Sequence, residues 1–225
     1  MSLGVLLLLF YTPLCVIYAL LRFRTRLENG FLRGFMIRLC AVLNFLEAHS
    51  LWLGRVIFVL AVGVGAYTGF LLSAIQTYPL FNSPILPILF LASSISSGIA
   101  ACVFVGIICF SRNVSKENAK ILLTADLRVI PIELLLIFAL FAGLYFQGGE
   151  AAIAAATSLT SGAWAVLFWL GVIFVGIATP ALIAITALKN HAYKPSFILL
   201  NSLCVLLGVL CLRLFILYAG QLSSL

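Results

Sequence analysis

Six apolar stretches, each long enough to cross a bilayer as a helix, recur along this chain and consume nearly all of its length. A membrane-spanning helix needs about 20 mostly apolar residues, because nothing in the hydrocarbon core can satisfy a bare backbone except the helix itself. The runs place helices at about 3–21, 53–76, 83–110, 121–146, 163–188 and 195–219. Charged residues make up only 8% of the sequence, against about 25% in a soluble domain. The short alternating segments of a membrane barrel are absent. The expected architecture is therefore all-α: a polytopic membrane helix bundle of about six spans, one integral membrane domain over residues 1–225, with no room for a soluble catalytic domain. The first run has no basic residue before it and no small-residue cleavage site, so it reads as a span and not as a cleaved signal.

The formal charge is +7, and its placement gives orientation. Arg22, Arg24, Arg26, Arg33, Arg38, Arg55, Arg112, Lys116, Lys120, Arg128, Lys189 and Lys194 all lie in or beside three alternate loops. Such asymmetry marks the cytoplasmic side, which puts both termini outside. It is no signal for nucleic acid; a basic fringe against lipid headgroups accounts for the same residues. The first of these loops, 22–52, is long, and its segment FLRGFMIRLCAVLNFL reads as an interfacial helix. The stretch QGGEAAIAAATSLTSG is uncharged apart from Glu150, which suits the outer side.

Metal and haem are not expected. The six cysteines, Cys15, Cys40, Cys102, Cys109, Cys204 and Cys211, form no C-x-x-C pair. Cys102 with Cys109 and Cys204 with Cys211 share helix faces at seven-residue spacing and read as small packing residues. His49 and His191 fall in cytoplasmic loops, away from where an axial haem ligand must stand.

Ionisable groups deep in a span are costly and point to function. Glu133 lies about 18 Å along its helix at 1.5 Å per residue. Arg213 is the basic residue far from the cytoplasmic side. Glu133 is a candidate acceptor of protons or part of a proton path; an ion pair or a protonated carboxyl that fixes packing is the competing reading. Asp126 and Arg128, nearer the cytoplasmic end, suggest a local charge cluster. Pro131 and Pro180 each free a backbone carbonyl within a span, a usual companion of intramembrane polar sites.

The stretch from Gly65 to Gly98 concentrates the remaining signal. Gly65 and Gly69 are four apart, so they share a face and admit a close neighbour. Tyr67 points the other way, about 200° round the helix. The turn TYPLFNSP, with Tyr78, suits the headgroup level, and Ser93, Ser94, Ser96, Ser97 and Gly98 line the next helix with small residues. Tyrosine suits a quinol, since its ring packs against the quinone and its hydroxyl exchanges a hydrogen bond. A belt tyrosine at the interface is the other reading of Tyr67, and the one that fits Tyr78 and Tyr145.

GAYTGFLLSA, then NSPILPILFLASSISSG, and finally LRLFILYAGQ resemble the NrfD/PsrC family of quinol-interacting membrane anchors. The resemblance implies a non-catalytic membrane subunit of a multi-subunit respiratory oxidoreductase in a bacterial or archaeal cytoplasmic membrane. It implies electron passage between the quinone pool, menaquinone being the expected quinone, and a ferredoxin-like iron–sulfur partner on the outer face, beside a separate catalytic subunit. Tyr67 matches the family's quinone-contacting tyrosine, with Thr68 and Gln76 expected at the pocket rim. Family members commonly have eight helices, and the opening MSLG resembles the start of their third, so the first two are expected to be lacking. A small transporter or a purely structural scaffold is the alternative. A transporter should show broken helices in two related halves, and Pro131 and Pro180 make no convincing repeat.

Overall fold

The structure is a computed structural model, and it describes residues 2–22, 49–75, 81, 83–109, 116–149, 153, 159–160, 162–189 and 195–222. Six long helical elements follow in order: α1 (Ser2–Arg22), α2 (Ser50–Ser73), α3 (Ile85–Cys109), α4 (Lys116–Gln147), α5 (162–189) and α6 (Pro195–Leu222). Each contains a segment long and apolar enough to cross a membrane. No strand occurs among the described residues. The expected spans match these to within a few residues. Gln76, Tyr78, Glu150, His191 and the segment read as an interfacial helix lie outside the described residues.

Helix starts follow local chemistry. At α3, the Ser83 hydroxyl accepts the Ile85 amide at 3.4 Å, and Pro84 immediately precedes the helix, where a missing N–H costs nothing. At α2, the Leu53 amide donates to the His49 carbonyl at 3.0 Å. Most hydroxyls inside the spans satisfy themselves. Thr12, Ser93, Ser97, Thr124, Thr186 and Ser202 donate to carbonyls three or four residues back. Serine and threonine thus enter apolar helices cheaply. The serine-rich face of α3 is for the most part this local bonding.

The fold divides into two compact units, 1–67 and 68–225. In the first, Gly4 of α1 lies against the ring of Tyr67, so closely that a Cβ there would overlap ring atoms. Gly63 faces Leu7 and Gly54 faces Tyr18. In the second, Gly69 is buried against the backbone of Leu86 and Pro87, where a Cβ would collide with the Pro87 Cα. The close approach expected at Gly69 is therefore present, whereas Gly98 meets nothing within 4 Å.

The larger unit has two apolar centres. One gathers Leu89, Phe90, Ile137, Leu140, Phe168 and Phe215, with the Phe168 and Phe215 rings 4.9 Å apart. The other gathers Val103, Ile107, Leu123, Ala184, Ala187 and Ile198. Large apolar side chains also point outward, among them Leu135, Phe138, Phe174 and Leu182. On a soluble protein such a surface would aggregate; in a bilayer it is the lipid face.

Element α5 is not one uniform helix. Gly162–Val166 is α-helical, Leu167–Ala178 is a π-helix, and Thr179–Lys189 is α-helical again. Residues five apart come near one face in the wider π turn. In an α-helix they would stand roughly 140° apart. Gly171 and Gly176 both face α6, where Gly171 meets Cys211 and Gly176 meets Gly208 backbone to backbone.

Candidate functional site: a buried polar seam

Asp126 and Glu133 stand seven residues apart on α4, two turns along one face and roughly 10.5 Å by helical rise. Both are buried, with 3% and 6% of their surface exposed. Their surroundings differ. Asp126 Oδ1 accepts from the Ser96 hydroxyl of α3 at 3.1 Å, and Oδ2 accepts from the Asn201 side-chain amide of α6 at 3.3 Å. One carboxyl thus ties three helices. Asn201 Oδ1 has no hydrogen-bond partner among the described residues.

Glu133 Oε1 is buried and likewise has no partner among the described residues. It borders a water-sized cavity of about 10 Å³, together with Ile137, Val172, Gly176, Ile177, Gly208, Val209 and Leu212. The end of the π-helix lies alongside. The Thr179 amide donates to the Phe174 carbonyl five residues back, and the Thr179 hydroxyl reaches the same oxygen at 2.8 Å. Pro180 then has no N–H to give, so the helix lacks one donor at this point.

Arg213 of α6 is half-buried and committed elsewhere. Its Nη2 donates to the Ser94 hydroxyl at 2.8 Å, and Ser94 in turn donates to the Phe90 carbonyl at 2.7 Å. The guanidinium carbon lies 5.6 Å from the Phe90 ring centroid, a cation–π arrangement. Its Nε has no partner among the described residues. No ion pair joins Glu133 or Asp126 to Arg213 among the described residues, so the ion-pair reading of the deep charges is not the arrangement found.

Arg128, expected beside Asp126, is exposed on another face of α4, in a shallow surface groove with Lys120 and Thr124. Two residues along a helix is a rotation of about 200°, which separates the pair. Tyr67 and Thr68 are half-buried on α2, and Tyr67 is backed by Gly4. Gln76 lies outside the described residues. Among the described residues, no three His, Cys, Asp or Glu side chains gather as a metal site.

Asn201 and the cross-helix role of Ser94 and Ser96 were not foreseen from the sequence. An asparagine inside an apolar run was the available signal, because its amide must find partners in hydrocarbon. The π-helix left one trace, the Thr179-Pro180 pair after a glycine-bearing apolar stretch.

Comparison with known proteins places this architecture. The family profile "Polysulphide reductase, NrfD" matches residues 1–224. The sequence is 45% identical over 221 residues to the C subunit of polysulfide reductase from Wolinella succinogenes, covering 98% of this chain and 69% of that protein. It is 38% identical over 226 residues to a protein NrfD homolog of Haemophilus influenzae, covering 99% of this chain and 70% of that protein. It is 40% identical over 182 residues to protein NrfD of Escherichia coli, covering 81% of this chain and 57% of that protein. With six apolar spans among the described residues and a family profile that matches residues 1–224, the chain is a multi-pass membrane protein that belongs to the NrfD polysulphide reductase family.

Proposed function

We propose that this protein is the membrane anchor and quinol-interacting subunit of a multi-subunit respiratory oxidoreductase. The observation that carries the reading is the 45% identity, over 98% of the sequence, to a protein named as the C subunit of polysulfide reductase. A subunit lettered C implies others, and the terminal chemistry is assigned to a separate catalytic subunit. Quinol, expected as menaquinol, supplies two electrons and two protons per molecule. An iron–sulfur partner on the outer face takes the electrons. The membrane is the bacterial or archaeal cytoplasmic membrane.

The residues of α2 fit a quinol headgroup. Tyr67 offers an aromatic wall and a hydroxyl, and Gly4 fixes where that ring stands. Thr68 supplies a second hydroxyl on the same helix, and Gln76, outside the described residues, is the further candidate that the sequence offers. A buried quinol hydroxyl left unpaired costs about 1–3 kcal/mol, roughly 5- to 150-fold in affinity. Tyr67→Phe keeps the ring and removes that hydroxyl. In the assembled complex it should raise the quinol concentration needed for half-maximal turnover by about that factor, with assembly unchanged. Turnover within about twofold of the parent would mark Tyr67 as a belt residue and withdraw its quinol role.

A further inference from the structure

We propose that Lys120 and Arg128 of α4 form a binding site for the phosphodiester headgroup of an anionic phospholipid. The proposal concerns this surface alone and does not depend on the quinol reading. Both side chains are exposed, and with Ile121, Thr124 and Ala125 they border a groove of about 530 Å³. One water takes roughly 30 Å³, so the groove suits a headgroup. At about 100° per residue the five positions fall within roughly 140° of one side of the helix. The Thr124 hydroxyl donates to the Lys120 carbonyl at 2.7 Å, so the donors left for a ligand are the ammonium and the guanidinium. Neither cation meets an acid among the described residues. Asp126 lies on the other side of α4, held by Ser96 and Asn201.

Depth identifies the anion. The apolar span of α4 covers 28 residues, Lys120–Gln147, more than the about 20 that hydrocarbon requires. At its far end Tyr145 and Phe146 are exposed, as aromatics at a membrane interface are. From Tyr145 back to Arg128 is roughly 25 Å by helical rise, against a hydrocarbon thickness of about 30 Å. Arg128 therefore stands at the opposite hydrocarbon boundary, with Lys120 roughly 12 Å farther out among the headgroups. A guanidinium facing lipid at that depth is costly unless it reaches an anion, and phospholipid phosphate is the anion at that level. Four and seven residues beyond Arg128, the exposed Ile132 and Leu135 continue the same side as an apolar track for acyl chains. A soluble phosphate would use the cations and leave the track unused. Residues 23–48 carry Arg24, Arg26, Arg33 and Arg38 against Glu28 and Glu47, a net charge of the same sign as the groove's, which makes that segment a poor cover.

The test counts bound lipid by native mass spectrometry on the intact protein in detergent, with phosphatidylglycerol and phosphatidylcholine of the same acyl chains. A basic side chain at an anionic lipid surface is worth roughly fivefold in affinity, so the pair should favour phosphatidylglycerol by about 25-fold. Lys120→Gln with Arg128→Gln should abolish that preference, and each alone should reduce it about fivefold. Lys189, exposed at the end of α5, belongs to the same basic fringe outside the groove, and Lys189→Gln should leave the preference intact. Equal retention of the two lipids, or an unchanged preference in the double variant, overturns the proposal. An equal loss in Lys189→Gln overturns it too, since the pair would then be no more than part of the fringe. Excess glycerol phosphate or inorganic phosphate should not displace the lipid; displacement would assign the groove to a free anion and overturn the lipid. Should the double variant melt early, the unsubstituted protein and the single variants still decide the matter.

Discussion

Gly176 and Gly208 meet so closely that a Cβ on either would overlap the Cα of the other. In lipid there is no hydrophobic gain in joining two helices, so close backbone approach is a main source of their association. Gly208→Ala should therefore push α5 and α6 apart. Overpacking of this kind costs about 1–3 kcal/mol, and more where the obstacle is backbone. Gly106→Ala is the matched control, since nothing lies within 4 Å of its added methyl. It should be neutral or stabilising by up to about 1 kcal/mol. Thermal denaturation in detergent separates the two, and equal losses would refute the packing account.

Asp126 carries the second prediction. Asp126→Ala strands the Ser96 hydroxyl and the Asn201 amide. Interhelical hydrogen bonds in membranes average about 0.6 kcal/mol, so two of them suggest a loss of about 1–3 kcal/mol once the small cavity is included. Asp126→Asn should cost less. Its carbonyl still accepts from Ser96, and its amide can donate to Asn201 Oδ1, which has no partner among the described residues. If the asparagine variant melts no higher than the alanine variant, the three-helix tie is not what stabilises this region.

Much of the fold was legible because apolar run length is a direct readout of bilayer thickness, and it gave all six elements to within a few residues. Burial of Glu133 was legible for the same reason, as a charge inside such a run has nowhere else to go; Asp126 read as part of a charge cluster near the cytoplasmic end, and its burial was not legible. Partner choice was not. Whether Arg213 would meet Glu133 depends on helix rotation and tilt, which small residues at crossings set, and it bonds Ser94 instead. The π-helix was invisible because it shifts register without changing hydropathy. Asn201 was masked by its neighbours, a single amide averaged away within SFILLNSLCVLLG.

Orientation gives the third prediction. Arg22 ends α1, Arg55 lies near the start of α2, Lys116 and Lys120 open α4, and Lys189 ends α5. In an alternating run of six spans, these positions all fall on one side. The positive-inside tendency makes that side cytoplasmic and puts the C-terminus of α6 outside. An enzyme reporter fused after the last residue should be active only in its exported form. Activity only in the cytoplasmic form would reverse the topology and move Tyr67 to the opposite membrane face.

Gly4 and Tyr67 support a prediction that stands whether or not quinol binds there. A methyl at position 4 would overlap the Cδ1, Cε1 and Cζ atoms of the Tyr67 ring. That ring is rigid beyond its two side-chain torsions, so it must swing to a new rotamer or α1 must shift. Gly4→Ala should therefore destabilise by about 1–3 kcal/mol, although alanine by itself favours a helix by about 1 kcal/mol. Tyr67→Ala removes the obstacle and in that background Gly4→Ala should be neutral or stabilising. The double-mutant cycle should then return a coupling of about 1–3 kcal/mol, in the range of residues in direct contact. Thermal denaturation of the four proteins in one detergent measures it. An equal cost of Gly4→Ala in both backgrounds would mean that glycine is needed there for some reason other than the tyrosine ring, and the ring's placement would have to be explained from α2 alone.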